Sequence, residues 1–253
     1  MNDTKDNSSE NDSENQTVDN PGDCPDASVS AEADQNMSPE ERREREALAI
    51  RAKKLFFPPC EFVTSVFELE TLPSSPLIEI AFAGRSNVGK SSLINYIFQK
   101  KGLAKASSTP GRTQSLNFFK LDPFMHVVDM PGYGYAKAPK TLVDEWNQML
   151  RLYLQGRTQL KRVFLLIDAR HGLKKNDVEI MKMLDDTAVS YQIILTKCDK
   201  IKVPGIKKLV HSIESVFQNH PALFPEILTS SSEKDLGRKD IRLAIARVYR
   251  DFS

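Results

Sequence analysis

The stretch Gly84-Arg85-Ser86-Asn87-Val88-Gly89-Lys90-Ser91 has residue types and a spacing suited to holding phosphate. It fits the pattern GxxxxGK[ST], with an apolar run before it and a helical pattern after it. Glycines let backbone N–H groups turn inward onto phosphate oxygens, and the start of a helix adds partial positive charge. We expect Lys90 to reach the β- and γ-phosphates and Ser91 to bind Mg²⁺ through its hydroxyl. The bland alternative is a glycine turn at a helix start.

The tetrapeptide Thr196-Lys197-Cys198-Asp199 bears on which base such a nucleotide carries. It follows the apolar run YQIIL, so we expect it at the carboxyl end of a strand, where α/β folds bind ligands. A carboxylate there can accept hydrogen bonds from N1–H and the 2-amino group of guanine. Adenine lacks both donors and would leave Asp199 unpaired, which is costly. The aliphatic stem of Lys197 can lie across the base.

Two further segments have residues that fit a bound triphosphate. Asp129-Met130-Pro131-Gly132 ends an apolar run; we expect Asp129 to hold Mg²⁺ through water and the N–H of Gly132 to sense the γ-phosphate. Gly111-Arg112-Thr113-Gln114-Ser115 lies between the first helix of the body and the next strand. Thr113 there is expected to bind Mg²⁺ only when the γ-phosphate is present. Each segment taken alone also reads as an ordinary turn or loop.

The run Thr229-Ser230-Ser231 follows the last strand pattern and is expected to offer backbone N–H groups to guanine O6. A serine run by itself is more often a plain loop. Taken together, the motifs give three expected catalytic residues, namely Lys90, Thr113 and Gly132. The expected Mg²⁺ ligands are Ser91, Thr113 and Asp129.

Strand and helix patterns alternate along the body and predict the elements that position these motifs. Such alternation predicts the α/β class, a mostly parallel sheet with helices on both faces. Together with the GxxxxGKS motif it indicates a three-layer P-loop NTPase fold. The strand patterns cover residues 62–66, 77–83, 115–121, 124–130, 163–169, 191–197 and 226–230. The helix patterns cover residues 92–99, 142–155, 177–186, 205–218 and 237–252.

The charge is divided between an acidic start and a basic body. Residues 1–40 contain eleven of the 34 acidic residues but only one of the 35 basic ones, and they are poor in aliphatic side chains. We expect this tail to be disordered, because it cannot bury enough apolar surface to offset the entropy of ordering. A body with 34 basic and 23 acidic residues suits a polyanion such as RNA; the alternative is a solvated basic face.

A helix or linker over residues 41–57 is predicted to join the tail to the body at residues 58–253. Ser38-Pro39-Glu40-Glu41 has the pattern of a helix start, with Ser as the cap, and Pro58-Pro59 ends the helical run. The sequence leaves open whether this helix docks on the body. No apolar run approaches the roughly 18 residues of a membrane span, and the three cysteines fit a reducing cytoplasm.

Taken in order, the five motifs resemble those of the translation-factor-related GTPases. The longer strings FVTSV, IAFAGRSNVGKSSLIN, TPGRTQ, VVDMPGYGYA and LLIDARHGLKKND resemble the EngB (YihA/YsxC) family specifically, over about residues 58–253. The resemblance implies a Ras-like G domain that binds GTP or GDP with Mg²⁺. It also implies a role in assembling the large (50S) ribosomal subunit and a need for the protein in normal bacterial cell division and septation.

From this resemblance we expect a cytoplasmic, monomeric GTPase switch without a membrane partner, acting on a precursor of the large subunit and its rRNA. The alternative is a GTP-sensing adaptor in cell division that does not bind the ribosome directly. A third interpretation, which the motifs favour less, is an ATPase.

Three positions depart from the common GTPase pattern. Tyr133 stands where many GTPases have Gln, so we expect slow hydrolysis without a partner, and Gly132 and Gly134 suggest a mobile loop. Asn87 corresponds to the Asn that helps bind potassium in related GTPases with the pattern GxxNxGKS. K⁺ is therefore a further expected cofactor. Thr196 replaces an Asn that normally ties the base motif to the phosphate motif, so only modest nucleotide affinity is expected.

Overall fold

A computed structural model describes residues 37–105, 115–134 and 140–253 of the chain. The strands in these ranges are β1 (Glu61–Val66), β2 (Ile78–Gly84), β3 (Leu116–Leu121), β4 (Met125–Asp129), β5 (Leu160–Asp168), β6 (Tyr191–Thr196) and β7 (Leu228–Thr229). The α-helices are α1 (Pro39–Leu55), α2 (Lys90–Ile97), α3 (Lys140–Gly156), α4 (Lys175–Asp186), α5 (Val203–Glu214) and α6 (Arg238–Phe252).

The described strands form one sheet in the order β1-β3-β4-β2-β5-β6-β7. β1 and β3 are antiparallel, as are β3 and β4, and every other neighbouring pair is parallel. The prediction of a mostly parallel sheet is therefore confirmed. Because β2, β4, β5 and β6 run in the same direction, their carboxyl ends meet at one edge, which brings Gly84, Asp129, Asp168 and Thr196 together.

Helices cover both faces of the sheet, as the alternating pattern predicts. β2 is buried along its whole length, and its side chains alternate between two cores. Ala81 and Ala83 pack in a core with residues of α3, α4 and α5, whereas Ile80 and Phe82 pack in a core with residues of α1, α2 and α6. A strand that is apolar on both faces is what a three-layer fold requires.

The first described helix docks on the body. Ser38 caps α1 in a capping box. The Ser38 hydroxyl accepts from the N–H of Glu41 at 3.2 Å, and the Glu41 carboxylate accepts from the N–H of Ser38 at 2.7 Å. Leu48 and Leu55 are buried in the same core as α6. The predicted helix start is confirmed, although α1 takes in Pro39 and Glu40, which the sequence assigned to the tail, and ends at Leu55. The rest of the predicted tail, residues 1–36, lies outside the described residues.

Most predicted boundaries differ from the observed ones by one or two residues, and three elements show how the differences arise. β5 begins at Leu160, three residues before the predicted start. The guanidinium of Arg162 lies 4.0 Å from the centre of the Phe224 ring, and this contact accommodates a charged residue on a buried strand. β7 is limited to two residues, since Ser231 pairs with Leu236 instead of extending the sheet. α5 ends at Glu214, and a short 3-10 turn follows over Phe217–Asn219. No helix in the described ranges is long and apolar enough to cross a membrane.

Candidate nucleotide-binding site

The loop between β2 and α2, residues 84–91, has the backbone of a phosphate cradle and is called the phosphate loop below. Its start, Gly84, is the last residue of β2, and α2 begins at Lys90. Gly89 has a φ of 103°, which L side chains rarely adopt, and Asn87 also has a positive φ of 64°. These conformations turn the chain sharply before the helix, so the N-terminus of α2, where a helix can bind an anion, lies at this turn.

At the base of the phosphate loop Lys90 forms an ion pair with Asp129, the last residue of β4. Asp129 is 5% exposed, so this is a nearly buried pair. The Ser91 hydroxyl is half-buried and lies 3.4 Å from the Lys105 carbonyl oxygen. The structure therefore brings the Lys90 ammonium and the Asp129 carboxylate together, with Ser91 next along α2. Binding of Mg²⁺ and phosphate oxygens by these residues stays a prediction. Thr113 lies outside the described residues, as do Gly111, Arg112 and Gln114.

Residues 129–134, called the switch segment below, lie directly against the phosphate loop. A Cβ atom on Gly132 would come within 2.9 Å of Ser86 Oγ and 3.1 Å of Ser86 N, so only glycine fits here without a shift. The N–H of Ser86 donates to the Tyr133 carbonyl at 3.0 Å, and the N–H of Tyr133 donates to the Gly84 carbonyl at 3.3 Å. The N–H of Gly132 donates to no group among the described residues, and its contact with a phosphate oxygen stays a prediction.

The residue that follows the DMPG motif is anchored, contrary to the expectation of a mobile loop. Tyr133 is only 7% exposed, and its hydroxyl donates to Asp177 Oδ1 at 2.8 Å. The ring packs in the core near Trp146 and Leu150. Gly132 and Gly134, on either side of Tyr133, suggested a mobile loop, but the Tyr133 side chain fixes the start of that loop. Residues 135–139 lie outside the described part.

The base motif, residues 196–199 (the base loop below), is tied directly to the phosphate loop. The Thr196 hydroxyl donates to the Val88 carbonyl at 2.7 Å, and Nζ of Lys197 donates to the Asn87 carbonyl at 2.6 Å. The expectation that Thr196 leaves the two loops untied is therefore wrong, because its hydroxyl makes the bond that the sequence assigned to an Asn. Lys197 itself has a positive φ of 58°.

Asp168 has a role at the site that sequence reasoning missed. Its Oδ2 lies 2.9 Å from Nζ of Lys197, and Arg170 binds both carboxylate oxygens, at 2.9 and 2.7 Å. Burial raises the pKa of Asp168, but the hydrogen bonds from Arg170 and Lys197 outweigh it and hold the pKa well below its usual range. The carboxylate therefore stays charged and fixes the ammonium of Lys197. Its position at the end of a strand paired with Thr196 was a usable signal.

Asp199 presents a carboxylate that suits guanine. Ser231 donates its hydroxyl to Oδ1 at 2.5 Å. The other oxygen, Oδ2, is buried and lies 3.1 Å from Nζ of Lys200 as an ion pair, but no described donor is aligned with it for a hydrogen bond. Burial raises the pKa of Asp199, but the Ser231 hydrogen bond and the Lys200 ammonium lower it, and the net shift is downward. Asp199 therefore stays charged, as a carboxylate that accepts from the two N–H donors of guanine would have to be.

The serine run contributes differently from its predicted role. The N–H of Ser230 donates to the Leu195 carbonyl at 2.7 Å, and the N–H of Ser231 donates to the Leu236 carbonyl at 3.2 Å. These two N–H groups are therefore engaged within the protein, which contradicts the expectation that they meet guanine O6. Thr229 is the last residue of β7 and half-buried. The observed role of the run is that the Ser231 hydroxyl holds Asp199.

Several of the predicted site residues have buried side chains. The side chains of Val88, Met130, Cys198 and Ser115 are buried, with exposed fractions of 4% or less. They can reach a ligand only through their backbone. Pro131 is half-buried within the switch segment.

Comparison with known proteins assigns a family to these motifs. The family model described as 50S ribosome-binding GTPase matches residues 79–197. A probable GTP-binding protein EngB of Brucella melitensis is 50% identical over 220 residues, which cover 83% of this chain and 91% of the relative. The protein of the same name from Bartonella bacilliformis is 54% identical over 200 residues, which cover 76% of this chain and 93% of the relative.

Solved structures agree on the fold. The crystal structure of a probable GTP-binding protein engB has a TM-score of 0.56 at 22% identity and covers 68% of this chain and 99% of that chain. The crystal structure of Era in complex with MgGDPNP and nucleotides 1506-1542 of 16S ribosomal RNA has a TM-score of 0.53 at 21% identity; the coverage is 68% and 56%. At these identities the likeness concerns the fold, and it confirms the Ras-like α/β G domain.

Proposed function

The chain belongs to the EngB family of GTP-binding proteins, and from that premise we propose that it is a Mg²⁺-dependent GTPase that acts as a switch in assembly of the large ribosomal subunit. The observation that carries the guanine assignment is the position of the base loop, in which Asp199 closely follows Thr196 and Lys197, whose side chains bond to the Val88 and Asn87 carbonyls of the phosphate loop. The description of the matching family model, 50S ribosome-binding GTPase, supports the ribosomal part. Cell division and septation would depend on the switch through ribosome supply.

In this proposal each loop has a separate task. Asp199 selects guanine, and Lys197 lies along the base while its ammonium stays with Asp168 and Asn87. Phosphate oxygens compete with Asp129 for Lys90, since both are anionic partners of one ammonium. Asp129, Ser91 and Thr113 would hold Mg²⁺, which neutralises charge that develops on the phosphates.

The γ-phosphate gives the site its two states. Thr113 and the N–H of Gly132 are the groups proposed to contact it, so both segments are ordered by GTP and released after hydrolysis. Intrinsic hydrolysis is slow in this proposal, because Tyr133 turns its hydroxyl toward Asp177 and leaves no Gln-like group to orient water. A partner, the precursor of the large subunit, accelerates it.

The first experiment is a competition titration of bound fluorescent GDP with GTP, a non-hydrolysable GTP analogue and ATP, with and without Mg²⁺. The proposal expects competition by guanine nucleotides alone. Displacement by ATP, or no binding of any nucleotide, would contradict the assignment of the base loop.

The ribosomal partner is tested by co-sedimentation with 50S particles in the presence of the GTP analogue or GDP, at several salt concentrations. Salt-sensitive binding that requires the analogue supports the assembly switch. Binding to a division protein without any ribosome association would favour the alternative, a GTP-sensing adaptor. Size-exclusion chromatography with light scattering tests the proposed monomer, and fractionation of bacterial cells tests the proposed cytoplasmic location.

Potassium is a proposed cofactor through Asn87, which is exposed at the turn of the phosphate loop. A monovalent cation there would supply positive charge in the transition state, as an arginine finger does. GTPase rates at equal ionic strength in KCl and NaCl test this, and equal rates would exclude it.

A further inference from the structure

One buried carboxylate outside all the nucleotide motifs joins three segments of the molecule. Asp177 lies in the first turn of α4 and is 2% exposed. Its Oδ2 accepts from the N–H of Lys174 at 2.8 Å, and its Oδ1 accepts from the Tyr133 hydroxyl at 2.8 Å. Nη1 of Arg85, in the phosphate loop, lies 3.9 Å from Oδ2. The phosphate loop, the switch segment and α4 therefore share this group.

Tyr133 is the link between Asp177 and the nucleotide site. Burial raises the pKa of Tyr133, and the nearby Asp177 carboxylate raises it further, so the phenol remains a hydrogen-bond donor at physiological pH. The backbone of the same residue is bonded on both sides, to Gly84 and to Ser86. The preceding residue, Gly132, is consequently fixed against the phosphate loop.

We propose that Asp177 is a positioning residue for nucleotide discrimination: through Tyr133 and Arg85 it holds Gly132 against the phosphate loop and so raises the affinity for GTP relative to GDP. This inference rests on the proposed GTP switch. The N–H of Gly132 is the switch-segment group proposed to meet the γ-phosphate, which GDP lacks. Fixing it in advance lowers the ordering cost of binding GTP and leaves GDP binding unaffected.

The test compares Tyr133→Phe, Asp177→Asn and the double variant in titrations with GDP and a non-hydrolysable GTP analogue. Tyr133→Phe removes only the hydroxyl and keeps the ring in the core. We expect affinity for the analogue to fall about tenfold, the size of one lost hydrogen bond to a charged group, with GDP affinity within about twofold of wild type. Tyr133→Phe removes the hydrogen bond, and Asp177→Asn removes the charge of its acceptor. Since both act on one interaction, the double variant should bind the analogue no worse than whichever single variant binds it less tightly.

Tyr153→Phe is the matched control. The Tyr153 hydroxyl donates to Glu79 Oε2 at 3.1 Å, a second buried phenol–carboxylate bond at the other end of β2 from the phosphate loop. Its loss should lower the melting temperature in a similar way but leave the ratio of GTP to GDP affinity unchanged.

Each outcome decides something specific. Equal losses for both nucleotides, or an unchanged ratio in Tyr133→Phe, would overturn the proposal and make Asp177 a structural cap of α4 only. If Asp177→Asn fails to fold because the cap at Lys174 weakens, Tyr133→Phe keeps that cap and decides alone. Absence of guanine-nucleotide binding by the wild-type chain would instead refute the proposed function.

Discussion

At the scale of single residues, we predict that base selection depends on the charge of Asp199. Asp199→Asn replaces one carboxylate oxygen, which can accept a hydrogen bond from guanine, with an amide nitrogen, which can only donate one. We expect affinity for GDP to fall about 100-fold, since donors would then face donors. A xanthine nucleotide, which has a carbonyl in place of the 2-amino group, should regain affinity. Isothermal titration with both nucleotides measures this; unchanged GDP affinity would show that Asp199 does not read the base.

Asp168 is predicted to act through Lys197. Asp168→Asn removes the charged partner of the Lys197 ammonium, although the bond from that ammonium to the Asn87 carbonyl remains. We expect GDP affinity to fall about 3- to 10-fold, because a partly exposed ion pair contributes modestly. Fluorescent GDP titration checks it. Asp186→Asn, which removes an exposed carboxylate of α4 3.9 Å from Arg151, is the control and should have no effect.

The motifs, but not all of their partners, could be predicted from residue types. GxxxxGKS, DMPG and TKCD have the spacings that nucleotide chemistry requires. Lys90, Asp129 and Asp199 were therefore predicted at the carboxyl edge of the sheet, where they lie. Asp177 and Asp168 were assigned no role, since their partners Tyr133 and Lys197 come from segments 44 and 29 residues away. Such long-range pairs follow from strand order, which local patterns do not determine.

At the scale of elements, the sequence patterns predicted every described α-helix and strand. Boundary errors arise where side-chain contacts outweigh the local preference for helix, strand or loop. β5 extends over Lys161 and Arg162 because Arg162 stacks on an aromatic ring, a contact that no local pattern indicates. Docking of α1 could not be predicted either. Its apolar stripe is narrow, and only the position of α6 shows what covers Leu48 and Leu55.

We predict that α1 folds as part of the G domain core. Leu55 is 1% exposed, so Leu55→Ala should lower the free energy of unfolding by about 2–5 kcal/mol, the usual cost of a cavity in a packed core. Ile50 on the same helix is 70% exposed, and Ile50→Ala should change it by less than about 0.5 kcal/mol. Urea unfolding measures both. If Leu55→Ala leaves the midpoint unchanged, α1 is an appendage that unfolds independently.

At the scale of the whole molecule, the near-neutral charge conceals two parts of opposite sign. Residues 1–36 contain ten acidic residues and one basic residue, whereas the full chain has a formal net charge of +1. The body must therefore be strongly basic. Its longest run without an acidic residue, from Ile80 to Leu121, includes the phosphate loop and seven Lys or Arg residues. In the proposed function part of that charge serves the nucleotide, and the excess suits the phosphates of the proposed rRNA partner.

If the acidic tail competes with RNA for the basic body, removing it should strengthen RNA binding at low salt. We expect a chain of residues 37–253, which keeps the Ser38 cap of α1, to bind 50S particles more tightly than the full chain at about 50 mM salt. The difference should vanish near 500 mM, where charges are screened within a few ångströms. Filter binding across a salt series with both proteins in their GTP-analogue state measures it.

The control for this prediction is a full-length chain in which the ten acidic residues of segment 1–36 are replaced by Asn or Gln. Its tail keeps the length and excluded volume of the original but loses the charge. Competition by charge requires this variant to bind as tightly as the truncated chain, because only electrostatic attraction links an acidic tail to a basic surface. If it binds like the unmodified chain instead, the tail acts by obstruction or not at all, and the uneven charge of the sequence needs another explanation.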